Sequence, residues 1–223
     1  MEVMTQKLYL LWGETASSGK IEDYQSRLEV ICRVVNSRYS KHLHTGLTPL
    51  QDPSQVGAIL LNLSRVYDIL DIVLKGLYPQ SMRFVMVYDN LHLAPEEDMN
   101  QLEGPALEKA IQMMGKLERD GLLFEMSVDR KETDLAVSGL VNSVQLLKTG
   151  LSAKKRRIIS EYVKTGKQSL AALNLNMTQQ GVSKALKSSN WREIKDGERK
   201  LQRALEIYSD RLGRKQRSLD DFY

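Results

Sequence analysis

Cysteine is almost missing from this 223-residue chain. Cys32 stands alone, so no internal disulfide can form, and a reducing, cytoplasmic setting is expected. Aromatic residues make up only 6% of the sequence, which leaves a core to Leu, Ile, Val, Ala and Met. No run approaches the roughly 20 apolar residues that a membrane helix needs. The richest stretch, 56–77, is interrupted by Arg65, Asp68, Asp71 and Lys75. Met1–Thr15 has no basic region ahead of an apolar run and a small-residue cleavage site, so neither a secretory signal nor a membrane partner is expected. Phosphate-binding loops of the G-x-x-x-x-G-K-[ST] and G-x-G-x-x-G kinds are absent, and Ser17-Ser18-Gly19-Lys20 has the wrong glycine spacing. His42 and His44 alternate with no cysteine or clear carboxylate partner nearby. The expectation is a chain without a catalytic constellation, a metal site or a bound cofactor.

What the chain has is a division of charge. Its formal net charge is +4, yet 151–217 alone holds 17 Lys and Arg against 6 Asp and Glu. That segment therefore carries +11 and the remainder −7. Such a split suggests two parts with different partners, the basic one suited to a phosphate-rich surface.

The hydrophobic pattern falls into the same two parts. Lys7–Trp12 reads as a buried strand ended by Gly13. Ile21, Tyr24, Leu28, Ile31 and Val35 recur at helical spacing and predict a helix over 21–38. Residues 41–51 read as one or two short strands. Asp52-Pro53-Ser54 has the form of a helix start, Asp capping and Pro at the first position, and the stripe from Val56 to Leu77 predicts a long helix behind it. Met82–Tyr88 predicts a central strand, and Glu96, Glu97 and Asp98 an acidic loop. Gly104-Pro105 opens a third helix to about Arg119, Leu122–Val128 predicts another strand, and Lys131–Lys148 a fourth helix. The alternation implies a layered α/β sandwich over 1–149, with a boundary near Thr149-Gly150 where the charge changes sign.

Three short helices and a long one are expected over 150–223. Ser152 caps the first, whose apolar side is Ile158, Ile159, Tyr162 and Val163, and Thr165-Gly166 ends it. The second covers about 169–175. Asn176-Met177 is a tight turn that wants a left-handed residue, which Asn tolerates. Thr178 caps a third helix to about Lys187. Ala172 is small where the two helices must meet, and Leu175, Met177, Val182 and Leu186 form the core between them. This is the pattern of a helix-turn-helix, and the run Ala-Leu-Asn-Leu-Asn-Met-Thr-Gln-Gln-Gly-Val-Ser-Lys-Ala-Leu resembles that of many bacterial regulators and sigma-factor-type domains. Thr178, Gln179, Gln180, Ser183, Lys184 and Lys187 would then face double-stranded DNA, because Gln can pair with adenine and Lys can reach guanine or phosphate. Lys154, Lys155, Arg156 and Arg157 are placed for backbone contacts.

Asn190 can cap the long last helix. Trp191, Ile194, Leu201, Leu205, Tyr208 and Leu212 form a heptad-like seam, with Gly197 weakening the middle. The seam suits either a homodimer or packing back onto the chain itself.

Three further features carry a family resemblance. Gly13-Glu14-Thr15-Ala16-Ser17-Ser18 follows the first strand, Asp52-Pro53-Ser54-Gln55 the next strand region, and Leu102-Glu103-Gly104-Pro105-Ala106 opens the third helix. These resemble, in eroded form, the G-D-I-x-N-S, G-D-E-F-Q and D-G-P-A motifs of the SatD-like family of bacterial proteins. With the helix-turn-helix, the resemblance spans nearly the whole chain. It implies an α+β fold in which a ferredoxin-like, cyclase-like N-terminal domain precedes an all-α helix-turn-helix domain. In cyclases two acidic residues at strand ends hold divalent metals. The corresponding positions here are Glu14 and Asp52, the latter flanked by Gln51 and Pro53 rather than by glycine and an acid. The resemblance thus implies a vestigial pocket of Glu14, Ser17, Asp52 and Gln55, suited to a small-molecule ligand rather than to catalysis.

The leading expectation is a DNA-binding transcriptional regulator, not an enzyme, in which the N-terminal domain senses a ligand or dimerises. The alternatives are a cyclase-like nucleotide-binding protein or enzyme with an accessory helix-turn-helix, and a protein-interaction module.

Overall fold

In the computed structural model, which describes residues 4–16, 23–93 and 98–220, the apolar run of the N-terminus lies inside β1 (Met4–Thr15). The strand does not end at Gly13 but passes through it. A Cβ there would stand 2.5 Å from Phe84 Cε1 and 2.8 Å from Val56 Cγ2, so the glycine admits its two neighbouring strands. Those neighbours are β3 (Gln55–Leu60) and β4 (Met82–Leu93), both antiparallel to β1. Outside them lie β2 (Leu43–Pro49), antiparallel to β3, and β5 (Phe124–Ser127), parallel to β4. The order is β2-β3-β1-β4-β5, a five-stranded mixed sheet.

The helices of this part are α1 (Tyr24–Tyr39), α2 (Val66–Leu77), α3 (Pro105–Asp120) and α4 (Lys131–Thr149). The chain is a mixture of helix and sheet, as its alternating pattern implies. One stretch differs from expectation. Asp52-Pro53-Ser54 does not start a helix: it is the turn of the β2–β3 hairpin, with the Gln55 amide donating to the Asp52 carbonyl at 2.9 Å. Val56–Leu60 is strand, every residue of it buried. The helix begins only at Val66, after a turn in which the Ser64 amide donates to Asn62 Oδ1 at 3.1 Å. An Asp side chain that accepts the amide two residues on serves a turn as well as a helix cap, and tertiary pairing chose the turn.

Successive residues of a strand point to opposite faces. Leu8, Leu10, Trp12, Ile59, Val85 and Val87 gather with Ala106, Ala110, Met114 and Leu117 of α3 in one core cluster. Tyr9, Leu11, Ala58, Leu60, Phe84 and Met86, of the opposite parity, are buried as well. The sheet is thus covered on both faces, which is why Lys7–Trp12 shows no polar alternation. Helices α1 and α2 pack on each other and on β2 and β4 respectively. Cys32 of α1 is buried, and burial pushes its thiol up to about 12.

Beyond α4 come α5 (Ala153–Thr165), α6 (Gln168–Asn174), α7 (Gln179–Ser188) and α8 (Trp191–Asp220). The chain divides into two compact units: Met1–Val141 together with Gln202–Tyr223, and Asn142–Leu201. The seam of the last helix is covered by the chain itself, since Ile194, Leu201, Leu205, Tyr208 and Leu212 are all buried. Of the two readings of the seam, packing within the chain is the one observed. Gly197 has a packing role of its own, because a Cβ there would stand 3.1 Å from Val144 Cγ2 of α4. No helix among the described residues is long and apolar enough to cross a membrane.

Candidate nucleic-acid interface

The unit Asn142–Leu201 is built from short helices whose ends are satisfied by local bonds. Ser152 Oγ accepts the Lys155 amide at 3.3 Å and so caps α5. Gly166, at φ 68, closes it, its amide donating to the Tyr162 carbonyl at 2.8 Å. Ile158 and Ile159 are buried, but Val163, expected on the apolar side, is more than half exposed. Helix α6 contributes two small side chains to the interior, Ala171 and Ala172, where only Ala172 was expected. The Met177 amide donates to the Ala172 carbonyl at 2.9 Å, which folds the chain sharply back behind α6. Asn176 takes the left-handed conformation at φ 53. Thr178 then caps α7, its hydroxyl accepting the Gly181 amide at 3.1 Å.

Val182 and Leu186 are the buried side of α7, and Leu175 and Met177 are half-buried beside them. The other side carries Gln179, Gln180, Ser183, Lys184 and Lys187, all exposed together with Thr178. An exposed polar helix face with two lysines and two glutamines can form bidentate and charge-assisted hydrogen bonds with an extended anionic surface.

The four cations at the start of α5 are not equivalent. Lys154 and Arg157 are exposed. Lys155 Nζ donates to the Ser188 carbonyl at 2.7 Å, at the C-terminal end of α7 where a cation is favoured. Arg156 donates through Nε to the Leu151 carbonyl at 3.1 Å and through Nη2 to that of Lys148. Lys155 and Arg156 are therefore structural posts, a role that a run of four basic residues does not distinguish.

The second expected site lies at one end of the sheet. Glu14 on β1 and Gln55 on β3 are register partners, and Gln55 Nε2 donates to Glu14 Oε2 at 3.3 Å. The hairpin turn comes alongside through the Thr15 amide, which donates to the Ser54 carbonyl at 2.8 Å. Asp52 is exposed, and its Oδ1 accepts from the Ser54 hydroxyl at 2.6 Å and amide at 2.8 Å. Those two bonds hold its carboxyl below the usual carboxylate range. Ser17 lies outside the described residues, as do Glu96 and Glu97 of the acidic loop. Arg83, absent from the sequence reading, is the register partner of Glu14 on β4. Gln55, Glu14 and Arg83 thus form a polar row across three strands. The signal for Arg83 was a lone cation in the apolar run Met82–Tyr88. Among the described residues no group of three or more His, Cys, Asp or Glu side chains is placed to hold a metal ion.

The sequence matches no protein-family profile and no characterised protein. Among solved structures the chain is similar to a bacterial light-regulated adenylyl cyclase, at 15% identity and a TM-score of 0.41 over 57% of this chain and 44% of that one. A second structure of such a cyclase aligns with the same values. The chain is also similar to a regulator of polyketide synthase expression from Bifidobacterium adolescentis, at 10% identity and a TM-score of 0.26 over 91% and 86% of the two chains. The chain spans less than half the length of the cyclase chain that it matches.

Proposed function

We propose that α6 and α7 act as a helix-turn-helix and that the chain is a DNA-binding transcriptional regulator of the cytoplasm. The observation that carries this reading is α7 itself. It is capped by Thr178, turned from α6 through left-handed Asn176, and seated on Ala172, Val182 and Leu186. Its outer face presents Gln179, Gln180, Ser183, Lys184 and Lys187 to solvent. A recognition helix needs its inner face fixed and its outer face free to enter the major groove.

The unit Met1–Val141 with Gln202–Tyr223 is proposed as sensor or dimerisation part of a homodimer. Its chain order, strand-helix-strand-strand-helix-strand with sheet order β2-β3-β1-β4, supports a ferredoxin-like reading; β5 and α3 extend it. The resemblance to the SatD-like family rests on the three motifs of the sequence alone. A cyclase-like nucleotide-binding protein is the second reading, favoured by the meeting of Glu14, Gln55 and the Asp52 turn at one sheet end. We read that end as a ligand pocket without catalysis, because the Glu14 carboxylate is engaged by Gln55 and the Asp52 carboxylate by Ser54.

Selection of bound duplexes from a random-sequence library, with fluorescence anisotropy at two salt concentrations, tests the first reading. A recovered motif whose affinity falls with salt supports it. Absence of binding at low salt overturns it.

A further inference from the structure

The excess of positive charge in the basic segment is unevenly distributed. Residues 152–190, which hold α5, α6 and α7, contain eight Lys and Arg and one acid, Glu161. Residues 191–214 of α8 contain seven Lys and Arg and five Asp and Glu. The structure sharpens the contrast. Four of those seven exposed cations of α8, the ones in its middle, lie within reach of carboxylates one turn away: Lys195 with Glu198 at 3.6 Å, Arg199 and Lys200 with Asp196 at 2.7 Å each, and Arg203 with Glu206 at 3.5 Å. Such exposed pairs contribute little to stability. They do weaken the local field that an anionic partner would meet.

On α5 and α7 the arrangement is the opposite. Lys154 and Arg157 are three residues apart on α5, and Lys184 and Lys187 three apart on α7, so each pair shares a helix face. All four are exposed, and none has an ion-pair partner among the described residues. The bond from Lys155 Nζ to the Ser188 carbonyl ties the first turn of α5 to the end of α7.

Resting on the DNA-binding reading, we propose that the phosphate grip of this protein centres on Lys154, Arg157, Lys184 and Lys187, and that the carboxylate-paired cations in the middle of α8, Lys195, Arg199, Lys200 and Arg203, stay off the duplex. Four phosphate contacts release about four counterions, for a slope of log affinity on log salt of roughly −3.6. Affinity for random-sequence DNA then falls about 150-fold between 50 and 200 mM salt.

The test uses the full chain and a labelled random-sequence DNA duplex, titrated by anisotropy over that salt range. Three double variants each remove two positive charges: K154Q/R157Q on α5, K184Q/K187Q on α7 and R199Q/K200Q on α8. All are at exposed positions, and circular dichroism checks that each is folded. Each variant lowers the net charge of the chain equally, so net charge alone does not distinguish the three. The α5 and α7 variants are expected to make the slope shallower by about 2 each and to weaken binding more than tenfold at low salt. The α8 variant is expected to bind within twofold of the unaltered chain. An α8 variant that loses as much as the others overturns the proposal while leaving DNA binding intact. Loss of slope in none of the three overturns it as well. An unaltered chain that fails to bind duplex at the lowest salt overturns the DNA-binding reading itself.

Discussion

The ammonium of Lys148 on α4 lies 2.6 Å from the carboxylate of Glu198 on α8, and both side chains are close to fully buried. Gly197, next in the chain, lets the two helices approach at Val144. Removing one partner of a buried pair strands the other charge, which costs about 3–5 kcal/mol, whereas replacing both by apolar residues is often neutral. Glu198→Ala is expected to destabilise the chain by about 3 kcal/mol in urea unfolding. The double variant K148M/E198L is expected to recover most of that loss. Additive losses in the double variant would show that the pair is not coupled.

Gly13→Ala addresses the centre of the sheet. The added methyl would meet the Phe84 ring and Val56, both fixed in the core. Overpacking of this kind costs about 1–3 kcal/mol. A lowered thermal midpoint with unchanged secondary structure is the expected result, and a variant as stable as the parent would refute the close approach.

Tyr208 links α8 to the start of α4. Its hydroxyl donates to Asp134 Oδ1 at 3.0 Å and accepts the Arg130 amide at 3.2 Å. Burial, more than the neighbouring carboxylate, pushes its phenol up to about 12 from an ordinary value of 10.0. The fold therefore favours the protonated phenol. The stability it contributes is complete below pH 10 and is lost as pH rises towards about 12. Tyr9, buried and stacked on Tyr88, is shifted in the same direction. Phenolate absorbance followed against pH should show a late step that coincides with loss of circular dichroism. Tyr208→Phe should remove part of the late step and cost about 1–2 kcal/mol at neutral pH.

On the DNA-binding reading, Gln180→Ala with Lys184→Ala separates base reading from phosphate contact. Each good base contact is worth about 1–3 kcal/mol of discrimination. The double variant is expected to lose about a hundredfold for a selected sequence and about tenfold for random duplex. Equal losses for both would place the two side chains on phosphate alone.

Much of this molecule follows from local chemistry. The caps at Ser152 and Thr178, the left-handed turn at Asn176 and the small Ala172 were legible because each depends on residues a few positions away. The same holds for α3, opened by Gly104-Pro105 and closed by Gly121 at φ 66. The charge division needed only counting. Other features depend on what lies across the fold. Asp52-Pro53 satisfies a helix start and a hairpin turn equally, and only the pairing of Val56–Leu60 with β1 and β2 decides between them. The seam of α8 fits a second copy or the chain itself, and burial of Leu205, Tyr208 and Leu212 within one chain shows which is used. Lys154 and Arg157 cannot be told from Lys155 and Arg156 in a run of four cations, because the distinction lies in carbonyls at Lys148, Leu151 and Ser188 that come near only on folding. The sequence by itself determined the capped helix starts at Ser152 and Thr178, which helix faces are apolar and where the charge lies. Strand pairing, the partner of each buried charge and which cations are bound to backbone carbonyls were decided by tertiary structure, since each depends on groups distant in the chain whose positions no local preference sets.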